Sequence, residues 1–326
     1  MKLNAVYFEI LKFQESNLER LRREFALTVI ASPRDLSEDD LKQASILFAP
    51  LGYTWDENIF VRCPNLKVVA SNTTGHPHID LVSAERRGIK VVTLKGETEF
   101  LNEITPTAEH SIGLMLALTR NLVPAVDAVR RGEWDRRPYG GDGMLSRMSL
   151  GVVGYGRLGK LVAKYGAAFG MRVSFYDPYV EQTCDWHEAE SEVLKVSDLR
   201  KLVSENDIIS VHVPHAPETE KMFDRKLFSK FKPGSYFVNT ARGELIDHLA
   251  LLEVLESKHI AGAALDVFED EFTPGFSLND NKLWLYFCNN DNLIITPHIG
   301  GSTKDAWRLT EEFTINRVVD FLTKHK

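Results

Sequence analysis

Three short segments carry side chains of the kinds that carbonyl chemistry needs. They contain Arg242, Glu271 and His298, and each segment follows an apolar run predicted to be a strand. Reduction of a carbonyl by hydride leaves charge on the oxygen, so a site needs a proton donor that titrates near neutrality and a cation that orients an anionic substrate. His298 and Arg242 are the right types, and the carboxylate of Glu271 would favour the protonated imidazole. Each also has a plainer interpretation: a strand-end arginine, a solvated acidic loop and a packed loop histidine.

A glycine-rich turn is the second chemical signal. Gly154, Gly156 and Gly159 form a G-x-G-x-x-G pattern between the apolar run 150–153 and the helix-like stretch 157–169. In this context Gly154 would make the tight turn, Gly156 would let the backbone approach a pyrophosphate, and Gly159 would let helix and strand pack closely. The pattern therefore predicts that the start of this helix binds the phosphates of a dinucleotide.

An acidic residue after the next predicted strand indicates which dinucleotide. Asp177 follows the apolar run 172–176 and lies roughly 20 residues beyond the glycines, the spacing typical of a ribose-binding carboxylate. Such a carboxylate accepts hydrogen bonds from the ribose hydroxyls and repels a 2′-phosphate, so we expect NAD rather than NADP. The alternative is that these are only turn glycines and a solvated aspartate.

Strands and helices must alternate for these segments to meet. Buried strands are predicted at 6–10, 27–30, 46–49, 68–70 and 90–93, and then at 150–154, 172–176, 208–213, 236–239, 262–265 and 293–296. Helix-like spacing separates them, which favours parallel sheets covered by helices. The last six strands match a doubly wound dinucleotide-binding domain, whose ligands bind beyond the carboxyl ends of the strands. A polar, glycine-rich segment at 130–147 is predicted to be a loop or arm.

Composition limits the other possibilities. The 326 residues are enough for about two domains, and 44% hydrophobic and 26% charged residues are typical of globular proteins. Lys and Arg total 39 against 46 Asp and Glu, and this net charge of −7 argues against nucleic acid as a partner. Cys63, Cys184 and Cys288 form no C-x-x-C pair, so we expect a cytoplasmic protein without disulfides or a metal site. No secretion signal is expected, and the apolar stretch 112–118 is too short to cross a membrane.

Six ordered motifs resemble those of the D-isomer-specific 2-hydroxyacid dehydrogenase family. They are GVVGYGRLGK (151–160), YDPY (176–179), HVP with PET (212–219), NTARGELID (239–247), GAALDVFEDE (262–271) and TPHIGGST (296–303). The resemblance implies an α/β fold in which a Rossmann-type NAD-binding domain, residues 104–298, is inserted into a flavodoxin-like substrate-binding domain, residues 1–103 and 299–326. It implies an active site in the cleft between them, a 2-oxoacid or 2-hydroxyacid substrate, and a homodimer in which the arm reaches across.

The resemblance also assigns roles by position. Arg242 would hold the substrate's carboxylate and carbonyl, His298 would be the acid/base, and Glu271 its partner. The loop Asn72, Thr73, Thr74 and Gly75 would bind the substrate carboxylate through its backbone N–H groups. Asp266 corresponds to the residue that binds the nicotinamide carboxamide, and further cofactor contacts correspond to Thr107, Arg157, Leu158, Pro214, Thr219 and Thr240.

Several positions depart from the family pattern. Phe272 follows Glu271 where relatives commonly have proline, and His215 replaces a common apolar residue. Thr74 and Glu271 disfavour the phosphite and formate dehydrogenase subclasses, which carry Lys and Gln at those places.

No C-terminal regulatory domain is expected. Lys95 is a candidate anchor for a second anionic group, although a lone loop lysine is more often solvated. An NAD-sensing corepressor-like binding protein on the same fold is the alternative function.

Overall fold

The computed structural model describes residues 2–180, 193–273, 275–279 and 281–325. Cys184 therefore lies outside the described residues. Strands in the described part are β1 (Asn4–Phe8), β2 (Ala26–Ile30), β3 (Ile46–Phe48), β4 (Val68–Ala70), β5 (Lys90–Val92), β6 (Ser149–Val153), β7 (Arg172–Tyr176), β8 (Leu194–Lys195), β9 (Ile208–Val211), β10 (Tyr236–Asn239), β11 (Gly262–Leu265) and β12 (Leu293–Ile295).

Helices connect these strands in the order that a β-α alternation requires. They are α1 (Glu15–Glu24), α2 (Glu38–Gln43), α3 (Glu57–Phe60), α4 (Leu81–Arg86), α5 (Thr98–Leu101), α6 (Pro106–Thr119), α7 (Leu122–Arg130), α8 (Arg157–Ala168), α9 (Leu199–Glu205), α10 (Arg225–Phe228), α11 (His248–Glu256), α12 (Lys282–Phe287) and α13 (Lys304–Lys324). Pro106 at the first position of α6 is preorganised for the helix.

The chain divides into two units. The first unit comprises Met1–Ile104, Phe272–Pro274 and Thr303–Lys326, and the second comprises Thr105–Glu271 and Gly275–Ser302. Residues 299–302, expected in the first domain, group with the second unit, and 272–274 group with the first. That the first unit binds substrate stays a prediction.

The first unit is built on a five-stranded parallel sheet in the order β2-β1-β3-β4-β5. This is the flavodoxin-like order, so that part of the predicted fold class is confirmed. Successive residues of β1 face opposite sides: Val6 and Phe8 join one buried cluster, whereas Ala5 and Tyr7 join another. Ile315 and Val318 of α13 belong to the second of these clusters, so the C-terminal helix packs on the first sheet.

The second unit is built on a seven-stranded parallel sheet in the order β12-β11-β10-β9-β6-β7-β8. The Rossmann-type fold is confirmed, because the strand order reverses between β6 and β9, where dinucleotides bind in such sheets. In the described part of the chain this sheet has seven strands, one more than the six predicted. The missed strand, β8, has only two residues and is exposed, so it lacks the apolar run that signals a buried strand.

Among the described residues, no single helix is long and apolar enough to cross a bilayer. Only the stretch Thr98–Thr119 taken together with Leu122–Arg130 meets the length and composition, and the two are bent by 64°. Core helices of globular proteins pass the same test, and half of α6 is buried.

Candidate active site

The glycine turn lies between β6 and α8, at the point where the strand order reverses. Gly154 has a φ of +88°, and a Cβ there would lie 2.7 Å from the carbonyl oxygen of His212. A Cβ on Gly159 would lie 2.0 Å from the carbonyl oxygen of Gly154, so helix and strand approach too closely for any side chain. At Gly156, nothing lies within 4 Å of the Cβ position. The turn is therefore packed tightly on its inner side and open at its middle glycine.

The start of α8 suits an anion. Gly156 is its N-cap residue, and the first N–H groups of a helix have no acceptor within the helix. Arg157 begins the helix, where burial lowers the pKa of its guanidinium. Leu158 packs against the buried cluster on one face of the second sheet. These residues fit the pyrophosphate of a dinucleotide.

Asp177 is held at the end of β7 by two backbone groups. Its Oδ2 accepts a hydrogen bond from the Tyr155 N–H (2.8 Å) and its Oδ1 accepts one from the Tyr179 N–H (2.9 Å). A carboxylate oxygen has two lone pairs, so each oxygen can still accept a hydrogen bond from a ribose hydroxyl. Because Tyr155 lies between Gly154 and Gly156, its hydrogen bond links Asp177 to the glycine turn.

His298 and Glu271 are brought together. The His298 Nδ1 lies 2.8 Å from the Glu271 Oε1, and the Glu271 side chain is only 13% exposed. Glu269, another carboxylate in the acidic segment, pairs instead with Lys221 at 3.1 Å. With Nδ1 directed at the carboxylate, the Nε2 of His298 is the atom that can exchange a proton with a ligand.

The backbone at His298 is strained. Its φ is +52°, in the left-handed region that costs a residue with a side chain about 1–2 kcal/mol, and its N–H donates to the carbonyl oxygen of Thr296 at 3.0 Å. The surrounding structure must stabilise such a turn. Strain of this kind concentrates at functional sites.

Asp266 stabilises the turn at His298 by accepting hydrogen bonds from the residues around it. Its Oδ1 accepts from the Thr296 hydroxyl (2.6 Å) and the Ile299 N–H (2.9 Å), and its Oδ2 accepts from the Gly300 N–H (2.7 Å). Burial raises the pKa of the Asp266 carboxyl, but hydrogen bonds from His110, Thr296 and these two N–H groups outweigh burial and hold its pKa below the usual range. The residue expected to bind the carboxamide thus also holds both sides of the turn that carries His298.

Arg242 follows β10, where Asn239 shapes the turn. The side chain of Asn239 is fully buried, donates to the Arg242 carbonyl oxygen (2.8 Å) and accepts from the Ala241 N–H (2.9 Å). The Arg242 guanidinium donates to the Ala241 carbonyl oxygen at 2.6 Å. A Cβ on Gly243 would lie 2.0 Å from the Phe268 carbonyl carbon, so glycine lets the Arg242 turn approach the segment that leads to Glu271.

The other predicted cofactor contacts lie on loops and helix ends of the second unit. The Thr240 hydroxyl is 2.8 Å from that of Ser111, and the Ser111 hydroxyl donates to the Thr107 carbonyl oxygen at 2.8 Å. The Thr219 hydroxyl donates to the Pro214 carbonyl oxygen at 2.8 Å and so closes the loop after β9. His215 is exposed in that loop.

The predicted substrate loop follows β4 in the first unit. The Thr73 hydroxyl lies 3.0 Å from the Ser71 hydroxyl and donates to the Gly75 carbonyl oxygen at 2.7 Å, while Asn72 is partly buried and Thr74 is exposed. The Leu94 N–H donates to the Thr73 carbonyl oxygen at 3.0 Å, which places the exposed Lys95 one residue from this contact. Phe272 groups with the first unit, where a Cβ on Gly52 would lie 3.7 Å from its carbonyl oxygen.

Two histidines near these segments were missed by the sequence reasoning. His78 is buried, and its Nε2 lies 3.2 Å from the Ser71 hydroxyl; burial lowers its pKa to about 4, so the ring is neutral at pH 7. His110 on α6 lies 3.1 Å from the Thr296 hydroxyl. Neither follows a strand of the second sheet, so the rule that located His298 did not apply to them.

The two parallel sheets, the glycine turn and the His–Glu pair define an α/β protein with a dinucleotide-binding domain. Residues 112–300 match the family model described as "D-isomer specific 2-hydroxyacid dehydrogenase, NAD binding domain". The chain belongs to this family, and NAD is its cofactor. The predicted resemblance is thereby confirmed.

Individual relatives agree with the family. A D-3-phosphoglycerate dehydrogenase from Methanocaldococcus jannaschii is 37% identical over 82% of this chain and 48% of its own length. A glyoxylate reductase from Thermofilum pendens is 35% identical over 82% of this chain and 75% of its own length. The solved structure of D-lactate dehydrogenase from Aquifex aeolicus, complexed with NAD and lactic acid, is 30% identical, with a TM-score of 0.83 over 98% of this chain and 96% of that chain.

The chain thus spans about half the length of the phosphoglycerate dehydrogenase relative. All three relatives are named as enzymes, which does not favour the corepressor-like alternative.

Proposed function

We propose that this protein is an NAD-dependent oxidoreductase that interconverts a D-2-hydroxyacid and its 2-oxoacid. The 2.8 Å contact between the His298 Nδ1 and the Glu271 Oε1 carries the proposal, because it pairs a proton donor with a carboxylate at the carboxyl edge of the sheet that bears the glycine turn. Membership of the family and the names of the relatives support the same reaction class.

Each residue of the site has a role in this proposal. When bound, NADH would supply the hydride that reduces the carbonyl carbon of the 2-oxoacid. The His298 Nε2 gives a proton to the carbonyl oxygen, and the Glu271 carboxylate stabilises the protonated ring before transfer. Arg242 orients the substrate's carboxylate as a bidentate donor. In the first unit, the backbone N–H groups of Asn72, Thr73, Thr74 and Gly75 are the substrate contacts that the family resemblance implies.

Cofactor recognition follows from the second unit. The N–H groups at the start of α8 hold the pyrophosphate, and Asp177 accepts hydrogen bonds from the ribose. Thr107, Pro214, Thr219, Thr240 and Asp266 line the remainder of the cofactor. The net charge of −7 argues against nucleic acid as a partner. A cytoplasmic location without a membrane partner belongs to the same proposal.

We also propose a homodimer formed through α7 and the arm after it. Leu122, Val123, Val126 and Val129 of α7 are each about half exposed, and Trp134 in the arm is 91% exposed. The arm residues also line a groove of about 580 Å³, together with Leu116, Arg120 and Phe169. Contiguous exposed apolar side chains of this kind mark interaction surfaces, and a second copy of the chain is the occupant that the family resemblance implies.

The test is NADH consumption with a panel of 2-oxoacids: hydroxypyruvate, glyoxylate, pyruvate, 2-oxoglutarate and 3-phosphohydroxypyruvate. We expect turnover with at least one of them. His298→Ala should lower kcat by about 10²–10⁴-fold while NADH still binds. NADH binding without turnover of any 2-oxoacid would contradict the proposed reaction, and an unchanged kcat in His298→Ala would remove His298 from it.

A further inference from the structure

His110 belongs to a buried polar network that reaches the turn carrying His298. The residue lies near the start of α6, with its side chain 21% exposed, and its Nε2 is 3.1 Å from the Thr296 Oγ1 and 3.4 Å from the Asp266 Oδ1. Asp266 itself is 1% exposed. The network therefore links a helix to the loop after β12 across the end of β11.

The direction of the hydrogen bonds can be assigned by counting protons. The Thr296 hydroxyl has one proton, which it donates to the Asp266 Oδ1 at 2.6 Å. Its oxygen can therefore only accept from His110, so the His110 Nε2 must carry a proton. Whether the His110 ring is neutral or charged, it acts here as a donor to Thr296 and Asp266.

These two acceptors hold both ends of the strained turn. Thr296 precedes His298 by two residues, and the Ile299 and Gly300 N–H groups that follow it donate to the two oxygens of Asp266. Gly300 permits the close fit, since a Cβ there would lie 2.8 Å from the Asp266 Oδ2 and 3.7 Å from the His110 ring. A donor that fixes Thr296 and Asp266 thus fixes the residues on either side of His298.

We propose that His110 is a positioning residue, which holds the turn that carries His298 by donating to Thr296 and Asp266. It acts through these residues on the placement of the His298 imidazole and does not itself touch the substrate. The inference deepens the proposed function and rests on it for its kinetic consequences, whereas its structural consequence is independent of any reaction.

The structural consequence is tested by amide hydrogen exchange of the full chain, measured by mass spectrometry on peptides that cover 296–300. His110→Phe keeps an aromatic ring but removes the donor, whereas His110→Gln keeps an N–H donor. We expect the Ile299 and Gly300 amides to exchange at least tenfold faster in His110→Phe and close to the wild-type rate in His110→Gln. Thr119→Val is the matched control, because it removes a buried hydroxyl from the far end of the same helix. Unchanged exchange in His110→Phe would overturn the proposal.

The kinetic consequence is tested with the 2-oxoacid that the panel identifies as the best substrate. His110→Phe should lower kcat by tenfold or more with the Kd of NADH within twofold, and His110→Gln should recover most of the loss. In a His298→Ala background, His110→Phe should cause less than a twofold further loss, because its effect passes through His298. A positioning role is contradicted if His110→Phe lowers kcat by the same factor in the His298→Ala background as in the wild-type protein. It is also contradicted if His110→Gln is as impaired as His110→Phe.

A second variant tests the same network if the first one does not fold. If His110→Phe does not fold, Thr296→Val removes the hydroxyl between His110 and Asp266 and should give the same exchange and kinetic pattern; a wild-type pattern would count against the network. If the wild-type protein turns over no 2-oxoacid, the proposed function fails, while the exchange measurement still decides whether His110 holds the turn.

Discussion

The pairing of His298 with Glu271 predicts a charge-dependent defect. Glu271→Gln keeps an oxygen that can accept from the His298 Nδ1 but removes the negative charge that stabilises the protonated ring. The proposed reduction needs that proton, so kcat should fall on the order of tenfold to a hundredfold. The measurement is kcat with saturating NADH and a 2-oxoacid at pH 7.

Glu269→Gln is the matched control for this prediction. Its carboxylate lies two residues away in the same acidic segment and pairs with Lys221. We expect the kcat of this variant to be close to that of the wild-type protein. Equal defects in the two variants would mean that Glu271 acts only through the general charge of the segment.

The anchored carboxylate of Asp177 predicts cofactor choice. Asp177→Asn keeps an acceptor for one of the Tyr155 and Tyr179 N–H groups but loses the charge that repels a 2′-phosphate. A hydrogen bond to a charged group contributes about 1.5–3 kcal/mol, so the ratio of kcat/KM for NADPH to that for NADH should rise about tenfold to a hundredfold. Asp291→Asn, an exposed carboxylate of the same unit, should leave the ratio unchanged. A constant ratio in Asp177→Asn would show that the carboxylate does not face the ribose.

At the level of single residues, sequence reasoning located groups that follow strands and missed groups that support them. The family resemblance predicts Glu271 as the partner of His298, and the structure places Glu271 against His298. His110 and His78 gave no such signal, because their contacts to Thr296 and Ser71 depend on how helices and loops fold back onto strand ends. Spacing along the chain does not carry that information.

Among the elements, the contact between α1 and α13 depends on a buried carboxyl. Glu311 of α13 is 2% exposed, and its Oε2 accepts from the Gln14 N–H and the Asn17 side chain, both at 2.8 Å. Burial raises the pKa of Glu311, and the hydrogen bonds from Asn17 and Gln14 oppose the rise without cancelling it. The start of α1, whose N-cap residue Gln14 makes no side-chain cap, is thus held by a group from the other end of the chain.

This raised pKa gives the sign of a pH effect on stability. Between the ordinary and the raised pKa the folded protein holds more protons than the unfolded chain, so Glu311 makes the free energy of unfolding fall as pH rises through that window. Each unit of difference is worth about 1.4 kcal/mol. Glu311→Gln stays neutral and can accept the same hydrogen bonds. The free energy of unfolding of Glu311→Gln, relative to that of the wild-type protein, should therefore increase as the pH rises from 4 to 7.

Urea unfolding at several pH values between 4 and 7 measures this difference. Glu312→Gln, at the next position of the same helix and partly exposed beside Arg308, should run parallel to the wild-type protein. Parallel curves for Glu311→Gln as well would show that Glu311 has the same proton affinity in the folded and unfolded states.

The boundaries of the strands show where hydrophobic patterning predicts structure correctly and where it does not. Strands β4, β7, β10 and β11 begin and end where the sequence predicts. Strands β4, β10 and β11 are buried throughout, as expected for strands covered on both faces by helices, whereas β7 begins with the exposed Arg172. Strand β1 begins at Asn4, two residues before the predicted start, and ends at Phe8, because a 3₁₀ turn takes up Glu9 and Ile10. Edge strand β8 has no apolar run at all. Hydrophobic patterning identifies buried strands, so it misses a strand that pairs in the sheet but is exposed to solvent.

At the scale of the whole molecule, α7 and the arm carry the apolar surface that a second copy would cover. Val126 and Val129 are about half exposed on α7, and Trp134 is 91% exposed. Arg130, Arg131 and Arg137 at the helix end and in the arm are paired with nearby acids. A stable interface buries at least about 1,000 Å² in total, and a helix with a long arm can supply that area.

Val126→Asp places a charge in the middle of this surface and should convert the proposed dimer to a monomer in sedimentation equilibrium. Since Val126 is half exposed within one chain, the variant should fold, with an unchanged far-ultraviolet circular dichroism spectrum. Val82→Asp is the matched control: Val82 is also exposed on a helix, α4 of the first unit, and this variant should remain dimeric. A wild-type protein that sediments as a monomer would contradict the dimer, and a Val126→Asp variant that remains dimeric would move the interface away from α7.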